Sequence, residues 1–326
     1  RAQMVRDVRE DPDFAASVDA GTGFSTRSLL CAPLLVRGEC IGALELINKT
    51  SGDGLFSARD RHLVTAIASS ASLAIHNARM AAALVEQERV RKELELAREI
   101  QLGLLPEPAN DDFPVAGINI PARGVSGDFY DFRALDDGRI FFDLADVSGK
   151  GMNAALLMAR TSSLLRLLAK RHRDPGLLLA EVNDELCETA SHGMFVTIVC
   201  GFIEPATGEV WLANAGHQPP LYHARDGSFS ELPAESPPLG IMAGVEFPTA
   251  RVALAGGSLY LFTDGVTESW VGEHQRLHGE GLRRLITGAS GLRRSARLED
   301  IVADLRRPGL EQHDDITMML IEIRRG

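Results

Sequence analysis

The chain has 326 residues, 45% of them hydrophobic and 24% charged, a balance that supports roughly two globular domains and excludes wholesale disorder. A formal net charge of −11 argues against a nucleic-acid or anionic-membrane partner, both of which select clustered Lys and Arg, and favours a basic partner or a site that holds cations. Four scattered cysteines, Cys31, Cys40, Cys187 and Cys200, form no C-x-x-C pair, which excludes a disulfide framework or zinc ribbon and points to a reducing cytoplasm.

No apolar run approaches the ~20 residues that span a bilayer, so no membrane segment is expected, and the start at Arg1 predicts a fragment. Residues 1–76 read as a small α+β unit. Ser28–Val36 is an apolar run broken by Pro33, followed by an Arg37-Gly38-Glu39 turn and a second strand over Cys40–Asn48, which makes a hairpin. Ser57 and Asp60 form a capping box at the start of a helix that places Leu63, Ile67, Leu73 and Ala74 on one stripe. No Gly or Pro interrupts the chain from Leu55 to Gly103, so residues 77–105 are predicted to be a linker helix. Val90, Leu94, Ala97, Gln101 and Leu104 recur at spacings of a coiled-coil seam, and Glu88 with Lys92 adds an i,i+4 pair. That seam predicts a homodimer through the linker; a solvated connecting helix is the alternative.

Residues 106–326 change to strands with turns. Arg139–Asp146 is a predicted strand and Ala154–Arg171 a helix. Gly193–Ile203, Glu209–Ala215 and Pro220–Ala224 are predicted as consecutive antiparallel strands. Ser258–Thr263 and Ile316–Ile323 are further strands, with a helix around Leu298–Arg307. Strands without regular βαβ alternation predict an α+β fold with a largely antiparallel sheet.

Four segments put carboxylates beside turns at strand ends: Ser126-Gly127-Asp128-Phe129-Tyr130-Asp131, Ala145-Asp146-Val147-Ser148-Gly149-Lys150-Gly151, Phe262-Thr263-Asp264-Gly265-Val266-Thr267-Glu268 and His313-Asp314-Asp315-Ile316-Thr317. A single Asp-Gly is usually only a turn. Several aspartates at the ends of apolar strands, where burial is costly without a cation, specify an oxygen-liganded site for Mg²⁺ or Mn²⁺. Gly149-Lys150-Gly151 is not a phosphate loop, because Leu144 and Gly151 stand where that loop requires Gly and Ser or Thr.

In this order, the segments SGDFYD, ADVSGKGMNAAL, NAGHQPPL, FTDGVTE and HDDIT resemble the SpoIIE/RsbU-type branch of the PPM (protein phosphatase 2C-like) family. The resemblance implies an α-β-β-α sandwich and a metal-dependent phosphoserine/phosphothreonine protein phosphatase that needs no Cys or Ser nucleophile. It implies that Asp146 bridges two metals, that Asp264 and Asp314 complete one shell, and that Asp128 and the Val147 carbonyl serve the other, with Asp315 as an alternative ligand. It further implies a phosphorylated STAS-type anti-sigma-factor antagonist as substrate; another phosphoprotein or small phosphoester, or a non-catalytic scaffold, are the alternatives. Ser126 stands where the family usually has glycine, and a strained backbone there would displace Asp128. His217 is read as ordering its loop, with a leaving-group acid as the alternative, and Arg123 either touches phosphate or is solvated. Residues 22–76 resemble the C-terminal half of a GAF sensor domain, whether it binds a ligand or only packs.

Overall fold

A computed structural model describes the chain except residues 13, 15–18, 20, 22, 24, 107–111, 123–125, 150, 190–192, 273–274, 308–311 and 324–326, and the side chains of Leu94, Ala97, Ile100 and Thr189. Arg123 and Lys150 lie outside the described residues. Contacts divide the chain into Arg1–Arg91 and Lys92–Gly326.

In the first unit β1 (Gln3–Val5), β2 (Leu29–Val36) and β3 (Glu39–Ile47) form an antiparallel sheet in that order. The expected hairpin is present, with Arg37 and Gly38 both at positive φ in its two-residue turn. Pro33 pairs in register with Ala43, and a register shift follows between Leu34 and Leu35. Helix α1 (Ala58–Leu102) starts at the capping box: Asp60 Oδ2 accepts the Ser57 amide at 2.8 Å and Ser57 Oγ accepts the Asp60 amide at 3.3 Å. The buried stripe is Val64, Ala68 and Ser72, packed with Leu30, Ala32 and Phe56. Leu63, Ile67 and Leu73, expected on that stripe, are exposed. Small residues face the sheet because they let helix and strands approach closely.

The continuous helix through residue 102 is as expected, but its seam is not. Gln101 is buried, Leu104 packs against the core of the second unit, and Glu88 pairs with Arg91 at 2.6 Å rather than with Lys92. The seam fails at Gln101 because a buried carboxamide needs hydrogen-bond partners, and it finds them within its own chain.

The second unit is an α-β-β-α sandwich of two five-stranded antiparallel sheets. One contains β4 (Val115–Ile120), β9 (Leu221–His223), β10 (Phe229–Glu231), β12 (Ser258–Phe262) and β15 (Ile316–Ile321), in the order β10-β9-β12-β15-β4. The other contains β5 (Asp128–Ala134), β6 (Ile140–Val147), β7 (Val196–Glu204), β8 (Glu209–Ala215) and β11 (Ala250–Ala253), in the order β11-β8-β7-β6-β5. Phe142, Leu144, Val199, Leu259, Leu261 and Met319 fill the space between the sheets. Helices α2 (Met152–Leu168) and α3 (Pro175–Thr189) cover one outer face, their Leu165 and Leu179 in one cluster with Phe141 and Phe202 of the sheet. Past the short α4 (Asp264–Thr267) and the β13–β14 hairpin (Trp270–Gly272, Gln275–Arg276), helices α5 (His278–Ala289) and α6 (Arg294–Leu305) cover the other face over Tyr260, Met318 and Leu320. Pro220–Ala224 was expected to continue the β7–β8 meander; β9 instead crosses to the opposite sheet and pairs with β12. The Pro219-Pro220 segment carries that crossing, since neither residue can donate to a ladder.

Candidate metal centre

The four acidic segments come together at one end of the sandwich. Antiparallel pairing of β5 with β6 sets Asp128 directly opposite Asp146, and β7 adds Thr197 on the other side of Asp146. Residues Asp264 and Asp314–Asp315 arrive from the other sheet, after β12 and before β15, strands that pair with each other. Gly265 makes that approach possible: a Cβ on it would lie 1.9 Å from the Asp315 carbonyl oxygen.

Asp128 is buried, and its Oδ2 accepts from Thr263 Oγ1 at 2.7 Å. Burial, and then the charge of Asp146, hold its carboxyl well above the usual range, opposed by hydrogen bonds from Thr263 and Thr317. Burial first, then Asp264 and Asp314, push Asp146 up to about 7. Asp315 spends both carboxylate oxygens on a loop: Oδ1 accepts the Ala122 amide at 2.7 Å and Oδ2 the Gly127 amide at 2.9 Å. Asp314 Oδ1 accepts the Asp315 amide at 3.0 Å.

These residues suit a hard divalent cation. The donors are all oxygen, and the carboxylates raise one another's proton affinity in a way a cation offsets. Gly127 leaves a notch beside them: a Cβ there would stand 3.0 Å from the Val147 carbonyl oxygen and 3.3 Å from Asp146 Oδ1. The carboxylates interact electrostatically, but among the described residues no group of three acidic, His or Cys side chains is close enough together to hold a metal ion as it stands. A cleft of about 290 Å³ lined by Gly265, Glu268, Trp270, Arg276, His313 and Asp314 opens beside this end.

Ser126 is buried just ahead of β5. Its Oγ accepts the Asp128 amide at 3.0 Å and caps the start of β5. His217 is buried, with Nδ1 2.9 Å from Thr197 Oγ1 and Nε2 3.1 Å from the Phe262 carbonyl, and it joins the two sheets. The carbonyl requires a proton on Nε2, so Nδ1 accepts from Thr197 and the ring is neutral; burial pushes its pKa down to about 4. Both nitrogens are thus engaged with protein groups, an arrangement that orders the loop. Sequence reasoning gave no role to Thr263 and Thr317, although both stand in the acidic segments.

Residues 136–324 match the family model described as Stage II sporulation protein E (SpoIIE), and residues 1–75 match the GAF domain. The chain is 28% identical over 240 residues to phosphoserine phosphatase RsbU of Bacillus subtilis, covering 72% of this chain and 71% of that protein. It is 31% identical over 186 residues to phosphoserine phosphatase RsbP of the same organism, covering 55% of this chain and under half, 46%, of RsbP. The SiaA-PP2C domain of Pseudomonas aeruginosa superposes with a TM-score of 0.65 at 20% identity, over 73% of this chain and 99% of that domain.

Proposed function

The chain belongs to the SpoIIE family, and from that premise we propose that it is a metal-dependent serine/threonine phosphoprotein phosphatase acting on a phosphorylated STAS-type anti-sigma-factor antagonist. The observation that carries the reading is the convergence of Asp128, Asp146, Asp264 and Asp314 at one end of the sandwich, with Asp146 paired across the strands to Asp128 and raised by Asp264 and Asp314. Asp146, Asp264 and Asp314 would hold one cation, and Asp146 with Asp128 and the Val147 carbonyl would hold a second beside the Gly127 notch. Asp315, committed to two backbone amides, holds the loop that presents Asp128. When bound, Mn²⁺ or Mg²⁺ supplies a nucleophile at neutral pH and neutralises charge on the phosphoryl oxygens. Thr263 and Thr317 hold Asp128 in place.

The likeness to two phosphoserine phosphatases supports the phosphoserine substrate. Residues 1–76 act as a GAF-type sensor and 77–105 as the linker, with a homodimer contact on the linker upstream of Gln101. The setting is cytoplasmic; no described helix is long and apolar enough to cross a membrane. The test is release of phosphate from a phosphorylated STAS protein with and without Mn²⁺. Turnover that stops in EDTA is expected. Turnover undiminished in excess EDTA sinks the metal reading, and activity confined to other phosphoproteins replaces the substrate.

A further inference from the structure

The last turn of α1 carries a buried glutamine. Gln101 is 4% exposed, and its carboxamide meets the Ser126 backbone with both ends: Oε1 accepts the Ser126 amide at 2.9 Å and Nε2 donates to the Ser126 carbonyl. A paired strand residue would make the same double bond; here a side chain supplies it. The next groups along the chain are likewise held from outside the ladder, the Gly127 amide by Asp315 Oδ2 and the Asp128 amide by Ser126 Oγ. The helix exit is pinned independently. Arg166 of α2 donates through Nη2 to the Leu104 carbonyl and through Nε to Asp131 Oδ2 at 2.8 Å, and Leu104 and Leu105 pack against the core cluster to which α2 and α3 contribute.

We propose that Gln101 is a positioning residue for the metal centre, fixing through Ser126 where the Gly127 notch and the Asp128 carboxylate stand relative to Asp146. The inference rests on the metal-dependent phosphatase reading for its consequence in catalysis, while the clamp itself is a property of the backbone. Two bonds to one buried residue leave Ser126 little freedom, and each broken one strands a buried amide group. A glutamine suits the task because it offers one donor and one acceptor at a single planar end. Glutamate keeps the acceptor for the Ser126 amide but turns an oxygen on its carbonyl; leucine keeps the bulk and removes both bonds.

The experiment compares Gln101→Glu, Gln101→Leu and, as a control on the same turn, Leu102→Ala, whose side chain is 51% exposed. Hydrogen exchange of the Ser126–Asp128 amides is followed in the metal-free protein, Mn²⁺ binding by calorimetry, and phosphatase activity across Mn²⁺ concentration. In both Gln101 variants exchange should quicken, and the Mn²⁺ dissociation constant should rise, by roughly tenfold or more. Turnover at saturating Mn²⁺ should return toward the wild-type value, a pattern that mere unfolding would not give. Leu102→Ala should match wild type in all three. Wild-type exchange and wild-type Mn²⁺ affinity in Gln101→Glu overturn the proposal, and that nearly isosteric variant decides alone if Gln101→Leu does not fold. A wild-type chain that releases phosphate from no phosphoprotein would fail the phosphatase reading instead, with exchange and Mn²⁺ binding still deciding the clamp.

Discussion

A carboxylate set among others at a sheet end costs stability unless its charge is offset, and Asp146, raised to about 7 by burial and by Asp264 and Asp314, bears that cost. Asp146→Asn and Asp264→Asn should therefore each lose at least about a hundredfold in turnover. The metal-free variants should melt no lower than wild type, because repulsion has been relieved; turnover at the wild-type level in both would misplace the centre. Gly265→Ala acts differently, since its Cβ would enter the space of the Asp315 carbonyl oxygen at 1.9 Å. Something in the backbone must shift, at about 1–3 kcal/mol, and Mn²⁺ affinity should fall with it; a variant with unchanged melting temperature would show the approach to be looser. His217 gives a pH signature. Its pKa is 6.5 ordinarily and about 4 in the fold. The unfolded chain thus takes up a proton between those values that the folded one does not, and the stability due to neutral His217 is lost as pH falls through that window. His217→Gln should show a shallower loss of melting temperature from pH 7 to about 4.5 than wild type; equal slopes would remove His217 as the cause.

Among the elements, α1 is the one whose sequence says most and misleads most. Its seam was expected to run from Val90 to Leu104, yet Gln101 and Leu104 are occupied inside their own chain. Val90, 43% exposed, remains available, along with Leu84 and Met80. Val90→Glu should convert a dimer into a monomer by sedimentation while leaving the Gln101 clamp intact; a protein that is monomeric before and after leaves α1 a plain connector. The capping box was legible because Ser57 and Asp60 satisfy one another locally. The stripe was displaced by one residue: the register of a helix against a sheet is chosen by close packing, which favours Val64 and Ala68 over the larger Leu63 and Ile67. Helix α3 was not read although Asp174 caps it, accepting the Leu177 amide at 2.9 Å. The crossing of β9 to the second sheet was also out of reach, since its pairing with β12 joins residues far apart in sequence. The acidic segments were legible for the opposite reason: a buried strand ending in Asp beside Gly is chemically odd wherever it stands.

At the scale of the molecule the two units carry very unequal cores. Among the described residues, Arg1–Arg91 buries a cluster of Leu30, Ala32, Phe56, Val64 and Ala68 against one face of its sheet. Lys92–Gly326 stacks three clusters, one between the sheets and one under each helix layer. Buried apolar area sets the scale of stability, so the units should unfold separately, the first at lower temperature. The proposed metal centre draws on residues of the second unit only, so Mn²⁺ should act on one transition alone. At a concentration 100 times the dissociation constant, a cation that binds only the folded state adds about 2.7 kcal/mol. For a unit of this size that raises the upper transition by roughly 5–10 °C. Scanning calorimetry of the full chain with EDTA and with Mn²⁺, beside residues 92–326 alone, measures this. The expected traces are two transitions in the full chain and one in the shorter protein, with only the upper one moved by Mn²⁺. A single transition in the full chain, or a lower transition that also shifts with Mn²⁺, would mean that the cores fold as one and that the stability of the first unit is tied to the proposed metal centre.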